Sequence, residues 1–150
     1  MAYEIRLLSA EDGGVLQRVA PGVFDGPVQQ RWTREFLADA RHHLIVARED
    51  GVVVGMVTAV DYVHPDKAPQ LWINVIGVAP SHQRRGIGRQ LLDAMLAHGR
   101  TLGCAEAWLG TEESNVAARR LYESVGGAPE AFARYSFPLH SGGRAEPRAG

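Results

Sequence analysis

A chain of 150 residues is long enough for one compact domain with a real core and too short for two, so one domain must hold every substrate. The formal net charge of −1 gives no field strong enough to gather nucleic acid or an anionic membrane, so any ion binding is local. Cys104 is the only cysteine, which excludes an internal disulfide and a cysteine-based metal cluster.

The first twelve residues carry no basic segment followed by an apolar stretch, so no secretory signal is expected. Residues 3–7 alternate like a strand. Ser9 then offers a cap, with Glu11 and Asp12 in the first turn of a helix reaching about Val19. Pro21, Gly22, Gly26 and Pro27 break the chain, and residues 29–40 predict a second helix with Trp32, Phe36 and Leu37 on one side. Two β-rich runs, 43–49 and 52–61, are separated by Asp50-Gly51, a strong hairpin signal. The most apolar run, 52–60, is about half of what a membrane helix needs, so a soluble, cytoplasmic protein is expected. After a polar loop at 64–69, residues 71–78 form another apolar strand, which Pro80 ends.

From Gly86 to about Leu102, the spacing of Ile87, Leu91, Leu92, Met95 and Leu96 is helical, with Gly103 as C-cap. Residues 105–109 are a short strand. Residues 115–125 are helical again and offer Val116, Ala117, Leu121 and Val125 to a core, before Gly126-Gly127 stops them. Residues 132–139 predict a final strand. The expected organisation is one domain over 1–140 and a flexible tail over 141–150, which has no apolar content to bury.

The chemistry concentrates between Leu71 and Gly127. A buried strand ending at Ile76, Gly77 and Val78 leads into Gln83-Arg84-Arg85-Gly86-Ile87-Gly88 and then a long amphipathic helix. Two glycines one residue apart let the backbone turn tightly, so several amide N–H groups can point at one place. That place is a helix N-terminus, where partial positive charge suits a pyrophosphate. Arg84, Arg85 and Arg89 add full charges. A dinucleotide fingerprint would need a small residue where Leu91 stands, and a Walker loop would need Gly-Lys-Ser or Gly-Lys-Thr. Taken alone, Gly-x-Gly is better read as a solvated helix start.

A second element stands at the right distance: Asn115-Val116-Ala117-Ala118-Arg119-Arg120-Leu121-Tyr122, after a short strand. With Gln-x-x-Gly-x-Gly at Gln83 to Gly88 and Asn-x-x-Ala-x-x-Leu-Tyr at Asn115 to Tyr122, the chain resembles the GNAT superfamily of N-acetyltransferases over nearly its whole length. The resemblance implies an α/β (α+β) fold: a mixed, largely antiparallel central sheet flanked by helices, with its two central strands splayed apart. It implies acetyl-CoA as co-substrate and no metal. Pantetheine would enter the wedge and pair with backbone groups around Ile76, Gly77 and Val78, and the turn Gln83 to Gly88, with Arg89 beside it, would hold the pyrophosphate. Asn115 would bond the pantetheine arm, and Tyr122 would donate a proton to the departing thiolate. The chemistry agrees, since a phenol of pKa about 10 is protonated at neutral pH and a thiol titrates near about 8.5. Without Asn115 ahead of it, Tyr122 would read equally as a core aromatic.

The mechanism implied is direct attack by the amine, with a backbone N–H at a strand bulge, of Ile76 or Val78, steadying the oxyanion. Cys104 has no activating base beside it in sequence and is expected to be a core residue. Many relatives carry an acid on the central strand to deprotonate the amine, where this chain has Val75. Candidates to replace it, or to bind the acceptor, are Asp25, Asp61, His64, Asn74 and Glu112, each also readable as an ordinary surface polar group. Val23-Phe24-Asp25-Gly26 and Tyr62-Val63-His64-Pro65-Asp66-Lys67 resemble the aminoglycoside 3-N-acetyltransferases, which implies a polycationic acceptor drawn by acids such as Asp25, Asp66 and Glu113. A peptide or protein amine is the second acceptor class, and a non-catalytic acetyl-CoA-binding module the alternative to an enzyme. Related folds often pair through sheet edges or C-terminal strands, so a homodimer is also an expectation.

Overall fold

A computed structural model describes residues 3–140, which fall into two compact units divided after Gly110. The first unit holds five strands, β1 (Glu4–Leu7), β2 (His42–Glu49), β3 (Val52–Tyr62), β4 (Gln70–Val78) and β5 (Glu106–Trp108), and the helices α1 (Gln30–Ala38) and α2 (Ile87–Thr101). The strands lie in one sheet in the order β1-β2-β3-β4-β5. The first three pairings are antiparallel and β4 with β5 is parallel, giving the mixed, largely antiparallel sheet expected from the sequence.

Local chemistry accounts for the elements. Asp50 and Gly51 take φ of 52° and 77°, the two left-handed positions of a tight hairpin, and Glu49 pairs with Val52 across it. The helix expected to reach about Val19 is a 3-10 helix, Ala10–Gln17. The Asp12 carboxylate accepts from the Ser9 N–H at 2.8 Å and the Ser9 hydroxyl at 3.0 Å, a secure start. Gly13 and Gly14 then make a longer α-helix costly. In α1 the buried residue is Thr33, while Trp32 is 52% exposed beneath the Arg31 guanidinium. The apolar stripe therefore runs through Phe36 and Leu37 without the indole.

One sheet face carries α2, whose Ile87, Leu91, Leu92, Met95 and Gly99 are buried at helical spacing. Close docking needs glycines: a Cβ on Gly55 would sit 3.0 Å from both Ile87 and Leu91, and one on Gly99 would sit 2.9 Å from Leu71. On this face His43 Nε2 lies 2.6 Å from Asp61 Oδ1, and His98 Nε2 of α2 lies 3.0 Å from His43 Nδ1. Burial and then the neighbouring His43 push the His98 pKa down. The other face buries Leu44, Val46 and Met56 against Leu8, Leu16, Val23 and the inner side of α1. No helix among the described residues is long and apolar enough to cross a membrane.

The second unit holds α3 (Val116–Ser124). Asn115 caps it, its side-chain oxygen accepting from the Ala118 N–H at 3.1 Å. The Tyr122 carbonyl accepts from the Gly127 N–H at 3.0 Å, with Gly126 at φ 93°, so the two glycines close the helix as expected. Two expectations are corrected here. α3 contains no buried residue, and Val116 is 53% exposed. Residues 132–139 form no strand, and Phe132, Tyr135, Phe137 and Leu139 are all exposed. Alternation alone does not make a strand without a partner for its backbone, and Pro138 removes one donor from this run. The tail expected over 141–150 lies outside the described residues.

Candidate functional site

β4 and β5 are paired for three residues only, Gln70, Leu71 and Trp72 against Glu106, Ala107 and Trp108. β4 runs on to Val78. Its edge from Ile73 to Val78 therefore has no strand partner on the β5 side among the described residues, about 16 Å of open backbone at ~3.3 Å per residue. The pairing with β3 slips within this stretch: Ile73 faces Ala59 and Val75 faces Thr58, leaving Asn74 as the extra residue of a β-bulge. The bulge thus lies two residues before Ile76, where the sequence reading looked for it. Val75 is 38% exposed on the face opposite α2, in the place where an acid was sought.

Beyond Val78, Ala79 is buried and Pro80–His82 form a 3-10 turn. Arg84 has φ 64° and Gly86 φ 79°. A left-handed residue on either side of Arg85 folds successive N–H groups toward a common side, and Gly86 is also the N-cap of α2, so the helix dipole adds to them. A Cβ on Gly86 would meet nothing within 4 Å; its glycine answers to the backbone angle. Gln83, Arg84, Arg85, Gly86 and Arg89 are exposed, Gly88 is half-buried, and Ile87 is buried as the first anchor of α2. The arginines divide by partner. Arg85 donates to the Tyr3 hydroxyl at 3.3 Å, and that bond, with the nearby Glu49, pushes its pKa up. Arg89 faces Asp93 one helical turn on, at 3.9 Å. Among the described residues Arg84 makes no ion pair, so its charge is free for a ligand.

The turn is braced from below. His82 Nε2 meets Glu49 Oε2 at the end of β2, and Ser81 Oγ lies 2.7 Å from His82 Nδ1. The Gln83 side chain reaches back to the Val78 carbonyl at 3.4 Å. Sequence reasoning missed the His82–Glu49 and Arg85–Tyr3 contacts because their partners lie 33 and 82 positions apart, a separation that no local pattern spans.

The remaining candidates scatter. Asp61 lies on the α2 face, held by His43 and, at 3.4 Å, by Arg41. Asp25, Asp66, Glu112 and Glu113 are exposed on loops. The Nε2 of His64 is shut off from solvent and has no hydrogen-bond partner among the described residues, and its ring meets Tyr62 edge-on at 5.1 Å. Burial, and then the charge of Asp61, push the Cys104 thiol up, which makes it a poor nucleophile at neutral pH. In the second unit, burial raises the Tyr122 phenol. The cap at Asn115 uses its oxygen, and its amide NH2 has no partner among the described residues. Among the described residues no cluster of His, Cys, Asp and Glu could hold a metal ion.

The chain's likeness to known proteins follows the same lines. A mycothiol acetyltransferase of Thermomonospora curvata is 37% identical over 119 residues, covering 75% of this chain and 37% of that protein. The [ribosomal protein bS18]-alanine N-acetyltransferase of Salmonella typhimurium is 40% identical over 67 residues, 45% of each chain. This chain thus spans less than half the length of either curated relative. In structure, an aminoglycoside acetyltransferase from an uncultured soil metagenomic sample, in complex with sisomicin, superposes with a TM-score of 0.81 at 19% identity, covering 92% of this chain and 97% of that one. At such identity the agreement is one of fold. The acetyltransferase (GNAT) family matches residues 15–127, well over half of the sequence, and the chain belongs to that family.

Proposed function

We propose that the chain is an acetyl-CoA-dependent N-acetyltransferase that passes the acetyl group directly to a primary amine of a small molecule. The observation that carries this reading is the continuity of the open β4 edge with the amide-lined turn at the start of α2. An amide-bearing arm can add to such an edge as a further strand would. A diphosphate fits the turn, where backbone N–H groups, the helix dipole and the free Arg84 converge. Both halves of coenzyme A thus find matching chemistry on one unbroken stretch of chain.

In this reading Ile76, Gly77 and Val78 offer backbone groups to the pantetheine arm, Gln83 to Gly88 bind the diphosphate, and the Asn115 amide NH2 bonds the arm. The amine nitrogen forms a bond to the thioester carbonyl carbon, and the tetrahedral oxyanion is held by backbone N–H of β4 beside the bulge. The C–S bond then breaks, the thiolate takes a proton from Tyr122, and the amine gives up its surplus proton to water. Val75 cannot accept that proton, nor the one a protonated amine must lose before it attacks, so solvent is the base for both, and Tyr122 regains its proton from solvent. A raised phenol pKa keeps Tyr122 protonated and able to donate.

Two acceptors deserve direct assay. The fold likeness to the sisomicin-bound enzyme favours testing an aminoglycoside, including at its 3-amino group, and the bS18-alanine relative favours testing a peptide N-terminus. Release of free thiol from acetyl-CoA against a panel of primary amines, gentamicin among them, tests the activity. Turnover with at least one amine is expected. Binding of acetyl-CoA with no turnover on any amine would replace the enzyme by a coenzyme-binding module. Arg84→Ala should raise the dissociation constant for coenzyme A roughly tenfold, which is about 1.4 kcal/mol, and leave the melting temperature unchanged. Calorimetry that found equal affinities would remove the diphosphate from this turn.

A further inference from the structure

Trp72 and Trp108 form the last paired rung of β4 and β5, where β5 ends and β4 runs on. Their rings stack with centroids 5.3 Å apart and planes 7° from parallel. Each is 38% exposed, a large aromatic surface to leave open to water. It is open because of where the helices lie: α2 occupies the opposite face, while on this side the Ala10–Gln17 turn and α1 pack over β2 and β3.

The polar edges of this surface are already satisfied. Trp108 Nε1 donates to the Tyr62 hydroxyl at 2.7 Å, and that hydroxyl donates to the Gln70 side-chain oxygen at 2.8 Å. What faces outward is therefore ring surface with little hydrogen-bonding capacity, suited to an apolar ring or to a cation near a ring face. The strand positions around the rung carry little charge. Register places Tyr62, Gln70, Trp72, Glu106 and Trp108 on one side, and Glu106 is the one carboxylate among them. Asp61 alternates to the α2 face, where His43 and Arg41 hold it.

We propose that the stacked indoles of Trp72 and Trp108 are the platform on which the acceptor lies, and that the acceptor is a monoamine borne on an apolar ring. This inference rests on the acetyltransferase reading above. An arm bound along β4 from the turn at its C-terminal end runs toward this rung, because the open edge closes there. An acceptor on the indoles therefore lies next to the end of the arm that carries the acetyl group. A polycation would need several carboxylates, and the strand positions around the rung supply one.

The test compares phenethylamine, gentamicin and an alanine-initiated tripeptide amide as acceptors. Free-thiol release gives kcat and KM, and calorimetry gives affinity independently of turnover. Phenethylamine is expected to exceed the other two in kcat/KM by at least about tenfold. Trp108→Ala should raise its KM by about tenfold or more with the KM for acetyl-CoA unchanged, and Trp108→Phe, which keeps a ring, should recover most of the loss. Circular dichroism establishes that each variant is folded; should Trp108→Ala prove unfolded, Trp72→Phe and Trp108→Phe carry the comparison, with phenethylamine affinity as the readout. Preference for gentamicin or the tripeptide, or an acceptor KM indifferent to both tryptophans, would overturn the platform and leave the acetyltransferase reading intact. Tryptophan-dependent binding of phenethylamine with no thiol release from any acceptor would overturn the acetyltransferase reading while retaining the platform.

Discussion

Replacing Tyr122 with Phe is expected to lower kcat about 100-fold, at the modest end of what a positioned general acid contributes, while the KM for acetyl-CoA stays within about twofold. The substitution deletes one hydroxyl and keeps the ring, so the packing of a half-buried side chain on α3 is conserved. A purely structural tyrosine would show the opposite split, with a lower melting temperature and an ordinary kcat. The pH profile separates the two further. A donor works only while protonated, and burial has raised the pKa of this phenol. Its contribution is therefore retained at neutral and mildly alkaline pH and is lost only as the pH rises through that raised value. The Phe variant should lack this alkaline limb of kcat. A wild-type profile and rate in the variant would take Tyr122 out of the proton transfer.

What could be read from the sequence divides along a physical line. The hairpin at Asp50-Gly51, the apolar stripe of α2, the turn from Gln83 to Gly88 and the helix beginning at about Asn115 are local: each depends on backbone angles and side-chain periods within a few residues. All are found at or within a residue or two of the expected place. The parallel pairing of β4 with β5 joins segments about 36 residues apart, so the shared rung of Trp72 and Trp108 leaves no trace in either segment alone. The one available signal was a tryptophan at an alternating position in each of two neighbouring central strands. Braces such as Glu49 with His82 leave still less. The missing strand at 132–139 illustrates the converse, since an alternating pattern states which side chains could share a face and says nothing about whether a neighbouring strand will satisfy the backbone. Asp61, one of several candidate acids and also readable as a surface polar group, instead lies on the α2 face, held by His43 and Arg41.

Gly77→Ala should be among the most damaging small substitutions in the chain, with an expected loss of about 3 kcal/mol of stability and a fall in melting temperature of about 6–12 °C. A Cβ built on Gly77 would lie 2.2 Å from the Val23 carbonyl oxygen, 3.3 Å from its carbon and 3.2 Å from Met56 Cε. The nearest of these is backbone, which cannot rotate away. Nor can the loop retreat freely. Ala20 donates to the Val53 carbonyl at 2.8 Å, the Val23 side chain is buried in the core, and Gly22, at φ 86°, is itself so close to Pro80 that an added Cβ would sit 2.6 Å from its ring. Relief must come from β4, whose open edge at Ile76 to Val78 is where the coenzyme arm is proposed to lie. The substitution should therefore raise the KM for acetyl-CoA together with the loss of stability. Gly13→Ala is the control: nothing lies within 4 Å of its added Cβ, and fewer unfolded conformations make the change neutral or slightly stabilising. Equal melting temperatures for the two variants would mean that Val23 does not bear on β4 as closely as the structure places it, and the rigid seating of the coenzyme edge would have to be sought elsewhere.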